Sequence, residues 1–140
     1  MHNQRLTSAQ FQALAASKKR KIMGANNTEH QLQVECVQWF RLTHRNDGII
    51  YAIPNGGVRD TTTAAKLRME GALAGIPDLH IPVPRHGYAS LYIEMKNGKT
   101  GRLSDHQKEM IERLRSLGNK VEVCRTFDEF VKAVEDYMRV

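Results

Sequence analysis

Three short segments share one form, a hydroxyl residue followed three positions later by Gln or Glu: Thr28-Glu29-His30-Gln31, Ser104-Asp105-His106-Gln107 and Thr126-Phe127-Asp128-Glu129. Each reads as a capping box that opens a helix. Between them lie short apolar runs bounded by Gly, Pro and Asn, which read as strands. After Thr28, Leu32, Cys36, Val37, Trp39 and Phe40 recur at helical spacing up to about His44. Ile49–Ile53 reads as a strand, Thr61 to Leu73 as a helix, and Ile76–Val83 and Leu91–Lys96 as two strands joined by a hairpin-like loop, Pro84–Tyr88. The helix from Ser104 stops at Gly118, Val121–Cys124 is a further strand, and the Thr126 box opens the last helix. The order α-β-α-β-β-α-β-α predicts an α/β domain: a mixed sheet of about four strands flanked by helices.

With 140 residues there is room for one such domain. No apolar run approaches the roughly 20 residues of a membrane span, and the first residues lack the apolar core of a secretory signal. Cys36 and Cys124 have no metal-type spacing and read as reduced thiols of a cytoplasmic protein. The net charge of +6 is concentrated at one end. Residues 1–24 hold Arg5, Lys18, Lys19, Arg20 and Lys21 and no acid, whereas the rest of the chain nets +1. Residues 1–27 are therefore expected to be a basic arm and linker, with a short helix from Ser8 to Lys18, and 28–140 the folded domain. Such an arm suits phosphate contacts, although a solvated terminus has the same composition.

The chemistry-bearing stretch is Pro77-Asp78 followed by Glu94-Met95-Lys96. Alternation along a strand puts Glu94 and Lys96 on one face and Met95 on the other. Asp78, on the neighbouring strand, can reach the same patch. Two adjacent carboxylates repel unless a cation joins them, and hard oxygen ligands suit Mg²⁺ or Mn²⁺. A lysine beside them can orient or deprotonate a water. The competing reading is a surface strand whose Glu and Lys are merely solvated.

The surroundings of this motif resemble the VRR-NUC branch of the PD-(D/E)xK nuclease superfamily. The matching residues are Gln31-Leu32-Gln33, Pro54-Asn55-Gly56-Gly57, Gly71, Gly75-Ile76-Pro77-Asp78-Leu79, Leu91-Tyr92-Ile93-Glu94-Met95-Lys96, Leu103-Ser104 with Gln107, and Leu114 with Gly118. They span about residues 28–125 in the family's order, and the metal-binding triad shows no departure. The resemblance implies a restriction-endonuclease-like core and a Mg²⁺- or Mn²⁺-dependent DNA endonuclease. Asp78, Glu94 and Lys96 would be catalytic, and Asp78, Glu94, the Met95 carbonyl and a first-helix acid would hold the metal. The short length resembles stand-alone phage or bacterial members that look like Holliday-junction resolvases, which act as homodimers. A restriction-like or flap nuclease is the nearest alternative, and a non-catalytic nucleic-acid-binding module is the alternative of another class.

For the first-helix acid, the candidates are Glu29 and Glu35. At about 100° per residue, Leu32, Cys36 and Phe40 bracket the direction of Glu29, which favours it. Its other role would be to complement the helix dipole. Asn55, Gly56 and Gly57 form either a plain turn or a close approach for a phosphodiester at the site's mouth. Lys99 and Arg102 are candidate phosphate contacts in an acid-free stretch, or a solvated loop. Gln107 is a nucleic-acid contact, a capping residue or a partner beside Lys96. His80 lines the cleft or is an ordinary half-buried histidine, and Trp39 is expected in the core.

Overall fold

A computed structural model describes residue 7 and residues 9–11, 28–54 and 61–140. Its elements, numbered from residue 28 onward, are α1 Thr28–Thr43, β1 Tyr51–Ala52, α2 Thr61–Met69, β2 Leu79–Ile81, β3 Leu91–Met95, α3 Asp105–Ser116, β4 Lys120–Cys124 and α4 Phe127–Met138. The expected order holds element by element; the first three strands are shorter than expected and the fourth is one residue longer. Of the expected Ser8–Lys18 helix, residues 9–11 are helical. Thr7 and Gln10 form a reciprocal box at its start: Gln10 N donates to Thr7 Oγ1 at 3.2 Å and Thr7 N to Gln10 Oε1 at 2.9 Å.

The capping reading is complete at Ser104, where both halves of the box are present. At Thr126 only half of it forms. Thr126 Oγ1 accepts from Glu129 N at 3.1 Å, but the Glu129 carboxylate accepts from Arg125 N at 2.6 Å instead of from its own N-cap. The Pro84–Tyr88 loop is a tight turn in which Arg85 and Tyr88 pair through their main chains, with His86 and Gly87 both at positive φ. That is the geometry a two-residue hairpin turn of the primed type demands.

The four strands lie in sequence order, β1-β2-β3-β4, the first two pairings antiparallel and β3–β4 parallel. The parallel pair requires a crossover, and α3 is that crossover. Leu79, Ile81, Leu91, Ile93, Met95 and Cys124 point to one face of the sheet, where Cys36, Trp39 and Phe40 of α1 and Phe130, Val134 and Tyr137 of α4 cover them. Trp39 is thus a core residue, packed edge-on against Phe127 and Phe130. Phe11 joins this core, 3% exposed and stacked on Phe127 at a ring separation of 5.5 Å. Ile76, Ile111, Leu114 and Val121 form a smaller core on the opposite face, under α3. Both cysteines are free and buried in the larger core, and burial pushes their thiols up, that of Cys124 to about 12. Among the described residues no helix is long and apolar enough to cross a membrane.

Candidate active site

Asp78 precedes β2, Glu94 lies within β3, and Lys96 follows its end. Lys96 N still donates to Cys124 O at 3.0 Å, so the ladder continues one residue beyond β3. This keeps Lys96 in phase with Glu94, and its Nζ stands 3.6 Å from Glu94 Oε1. Asp78 Oδ2 accepts the main-chain N–H of Met95 at 2.8 Å. The expected triad is therefore assembled at the point where β2 and β3 run side by side.

Glu94 is only 2% exposed. Burial first, and the nearby charge of Asp78 second, push its carboxyl up to about 8, with Lys96 pulling the other way. Gln107 Nε2 donates to Glu94 Oε1 at 2.8 Å, while its own carbonyl accepts from Ser104 N at 2.9 Å. The capping residue of α3 is thus also a ligand of the buried carboxylate. Gly75, at a φ of +78°, makes room for this arrangement: a Cβ there would come within 2.5 Å of His106 O and 2.9 Å of Gln107 N. No side chain but hydrogen fits at that crossing.

The other oxygen, Glu94 Oε2, is buried and has no hydrogen-bond partner among the described residues. A buried carboxylate oxygen left without a donor is costly. A hard divalent cation would satisfy such an oxygen and offset the Asp78 charge that adds to the effect of burial on Glu94. Asp78, Glu94 and the carbonyl of Met95 fit that role. Glu29 is not grouped with Asp78 and Glu94 in this structure: among the described residues no three His, Cys, Asp or Glu side chains stand together as a metal cluster. The helical-wheel argument correctly turns the apolar side of α1 toward the sheet. However, the face it covers carries Ile93 and Met95, whereas Glu94 projects to the α3 side.

Lys99 and Arg102 are exposed on the loop between β3 and α3. Arg125 pins that loop, its Nη1 donating to Gly98 O at 2.9 Å and to Gly101 O. Nothing in the local sequence marks Arg125 for this, because its partners lie far along the chain. Asn55, Gly56 and Gly57 lie outside the described residues. His80 is half-buried beside the site with both ring nitrogens bonded, Nδ1 to Tyr51 Oη at 2.5 Å and Nε2 to Ser90 Oγ at 2.9 Å.

The family model of the VRR-NUC domain matches residues 3–128. The chain belongs to the VRR-NUC family. The match begins inside the basic segment, where Phe11 is packed into the core. A solved structure titled VRR-NUC domain protein superposes with a TM-score of 0.68 at 28% identity, covering 83% of this chain and 90% of that one. A second, titled VRR-NUC domain, gives a TM-score of 0.56 at 23% identity over 80% of this chain and 99% of that one, and shares the fold. No curated protein matches the sequence. The fold of this VRR-NUC chain is thus the mixed α/β nuclease fold, and its carboxylate pair sits in a domain family of nuclease type.

Proposed function

We propose that this VRR-NUC chain is a Mg²⁺- or Mn²⁺-dependent DNA endonuclease of the cytoplasm, that it acts on branched DNA such as four-way junctions, and that it works as a homodimer. The observation that carries the reading is Glu94 Oε2, a buried oxygen without a donor among the described residues, beside Asp78 and Lys96.

Asp78, Glu94 and the Met95 carbonyl would hold the ion. When bound, a divalent cation supplies a water of lowered pKa and neutralises charge building on a phosphate. The protein's own groups do the rest. Gln107 Nε2 occupies Glu94 Oε1 and favours the ionised carboxylate. Lys96 Nζ donates to the attacking water and holds its lone pair toward phosphorus. Attack in line with the 3′-oxygen breaks that P–O bond and leaves a 5′-phosphate and a 3′-hydroxyl. Lys99, Arg102 and the Asn55-Gly56-Gly57 turn contact the backbone on either side, and the basic arm adds sequence-independent attraction. One centre cuts one strand, so a two-fold dimer supplies the paired cuts that a four-way junction needs.

The test incubates purified protein with Mg²⁺ or Mn²⁺ and linear, flap and four-way-junction DNAs. Cleavage that EDTA abolishes, and that Asp78→Asn, Glu94→Gln and Lys96→Ala each lose, is the expected result. Lys96→Ala should still bind metal in calorimetry, because its role is on the water. Binding without cleavage under every condition would make the chain a nucleic-acid-binding module. Strand-specific labelling of the junction and light scattering decide between paired cuts by a dimer and single nicks by a monomer.

A further inference from the structure

Three aromatic rings form a row across the sheet next to the carboxylates. Tyr51 pairs with His80 and His80 with Tyr92, so β1, β2 and β3 each contribute one ring. His80 is two residues beyond Asp78, and Tyr92 is two residues before Glu94 on the antiparallel neighbour. The aromatic row therefore runs beside the carboxylate row, about 6.7 Å away along the strands.

The rings are held firmly. His80 stacks on Tyr92 with centroids 4.2 Å apart and planes 20° apart, and Tyr51 stands at 85° to His80. Ser90 Oγ donates to Asn119 Oδ1 at 2.8 Å, so it accepts from His80 Nε2–H at 2.9 Å. The other ring nitrogen, Nδ1, is hydrogen-bonded to Tyr51 Oη at 2.5 Å. Asn119 is in turn anchored to Leu114 O at 3.1 Å. Tyr51 is fixed from its hydroxyl end. Yet Tyr51 remains 44% exposed.

A rigid, uncharged ring, half-exposed and continuous with a phosphodiester-cleaving site, matches one component of nucleic acid: the π-face of a base. Bases inside a duplex are stacked on one another, so an unpaired or splayed nucleotide must provide that face. We propose that Tyr51 is a stacking platform for an unpaired base beside the scissile phosphate, which directs the enzyme to DNA with unpaired nucleotides at the cut. The position relative to the cut rests on the nuclease reading; the stacking itself does not.

The experiment uses the full chain in EDTA, so that no strand is cut, and flap DNA carrying 2-aminopurine at the unpaired nucleotide next to the branch. Wild type and Tyr51→Phe, which keeps the ring, should quench the fluorophore alike. Tyr51→Ala and Tyr51→Leu should leave it bright and bind the flap roughly tenfold more weakly, with affinity for a fully paired duplex unchanged. Tyr51→Leu retains apolar bulk and separates stacking from simple burial should the alanine variant fail to fold. Equal quenching by Tyr51→Leu, or equal losses on flap and duplex, overturns the platform. Quenching with the expected variant pattern, in a protein that cuts no DNA with Mg²⁺ or Mn²⁺, supports the platform while the nuclease reading falls.

Discussion

Asp78 Oδ2 holds the main-chain N–H of Met95 at 2.8 Å, so one carboxylate of the site grips the strand that carries the other. Charge and position are therefore separable at Asp78. Asparagine keeps an accepting oxygen, whereas alanine removes it. Asp78→Asn should lose metal-dependent activity while its melting temperature stays near wild type. Asp78→Ala should lose activity and about 1 kcal/mol of stability as well. Paired denaturant melts and cleavage assays check this.

Glu94 gives the stability of the metal-free protein an unusual pH dependence. Its folded pKa, about 8, lies above the ordinary value of 4.5, chiefly through burial and then through Asp78. The folded state thus holds a proton that the unfolded state has released. The associated stability is complete below about pH 4.5 and is lost as pH rises through 8. At about 1.4 kcal/mol per unit, the loss is on the order of a few kcal/mol. Glu94→Gln, which cannot ionise, should melt near wild type at pH 5 and well above it at pH 9 in EDTA. Adding Mg²⁺ or Mn²⁺ at pH 9 should narrow that gap by stabilising wild type alone.

Gly75 and Gly71 make a matched pair. Both have positive φ, +78° and +110°, but a Cβ at Gly71 meets nothing within 4 Å. Gly71→Ala should cost about 1–2 kcal/mol of backbone strain and leave catalysis intact. Gly75→Ala should cost more, since its Cβ would strike the first turn of α3, and it should lower activity by moving Gln107 off Glu94. Comparing the two variants in melts and single-turnover rates distinguishes strain from displacement.

Phe11 ties the basic segment to the domain. Replacing a buried phenylalanine with alanine removes roughly 3–5 kcal/mol, so Phe11→Ala should unfold at clearly lower denaturant. Five of the chain's six net positive charges lie in residues 1–24, four of them after Phe11. Neutralising Lys18 to Lys21 should flatten the salt dependence of DNA binding without this loss of stability.

The alternation of helices and strands was legible because caps and periodicity are local, and Ser104 behaves as its sequence says. The same reasoning half-fails at Thr126, where the backbone N–H of Arg125 competes successfully for the Glu129 carboxylate. Asp78, Glu94 and Lys96 could be grouped because alternation along one strand and adjacency of two strands suffice. Glu29 could not be placed, since a helical wheel tells which side of α1 faces the sheet and not which face of the sheet it meets. The Tyr51–His80–Tyr92 row and the Arg125 clamp depend on register between segments distant in sequence, which no local pattern encodes.

Cys36 and Cys124 are enclosed by the larger core, with thiols held protonated at neutral pH. A maleimide reacts with thiolate that solvent can reach, so the native protein is silent to it. The wild-type background is thereby ready for chemical labelling: a single cysteine introduced on an exposed position, such as Lys99 or Glu109, can carry a dye without removing either natural residue. The same silence makes the two thiols built-in reporters of opening, because their rate of alkylation follows the frequency with which the core between α1 and β4 comes apart.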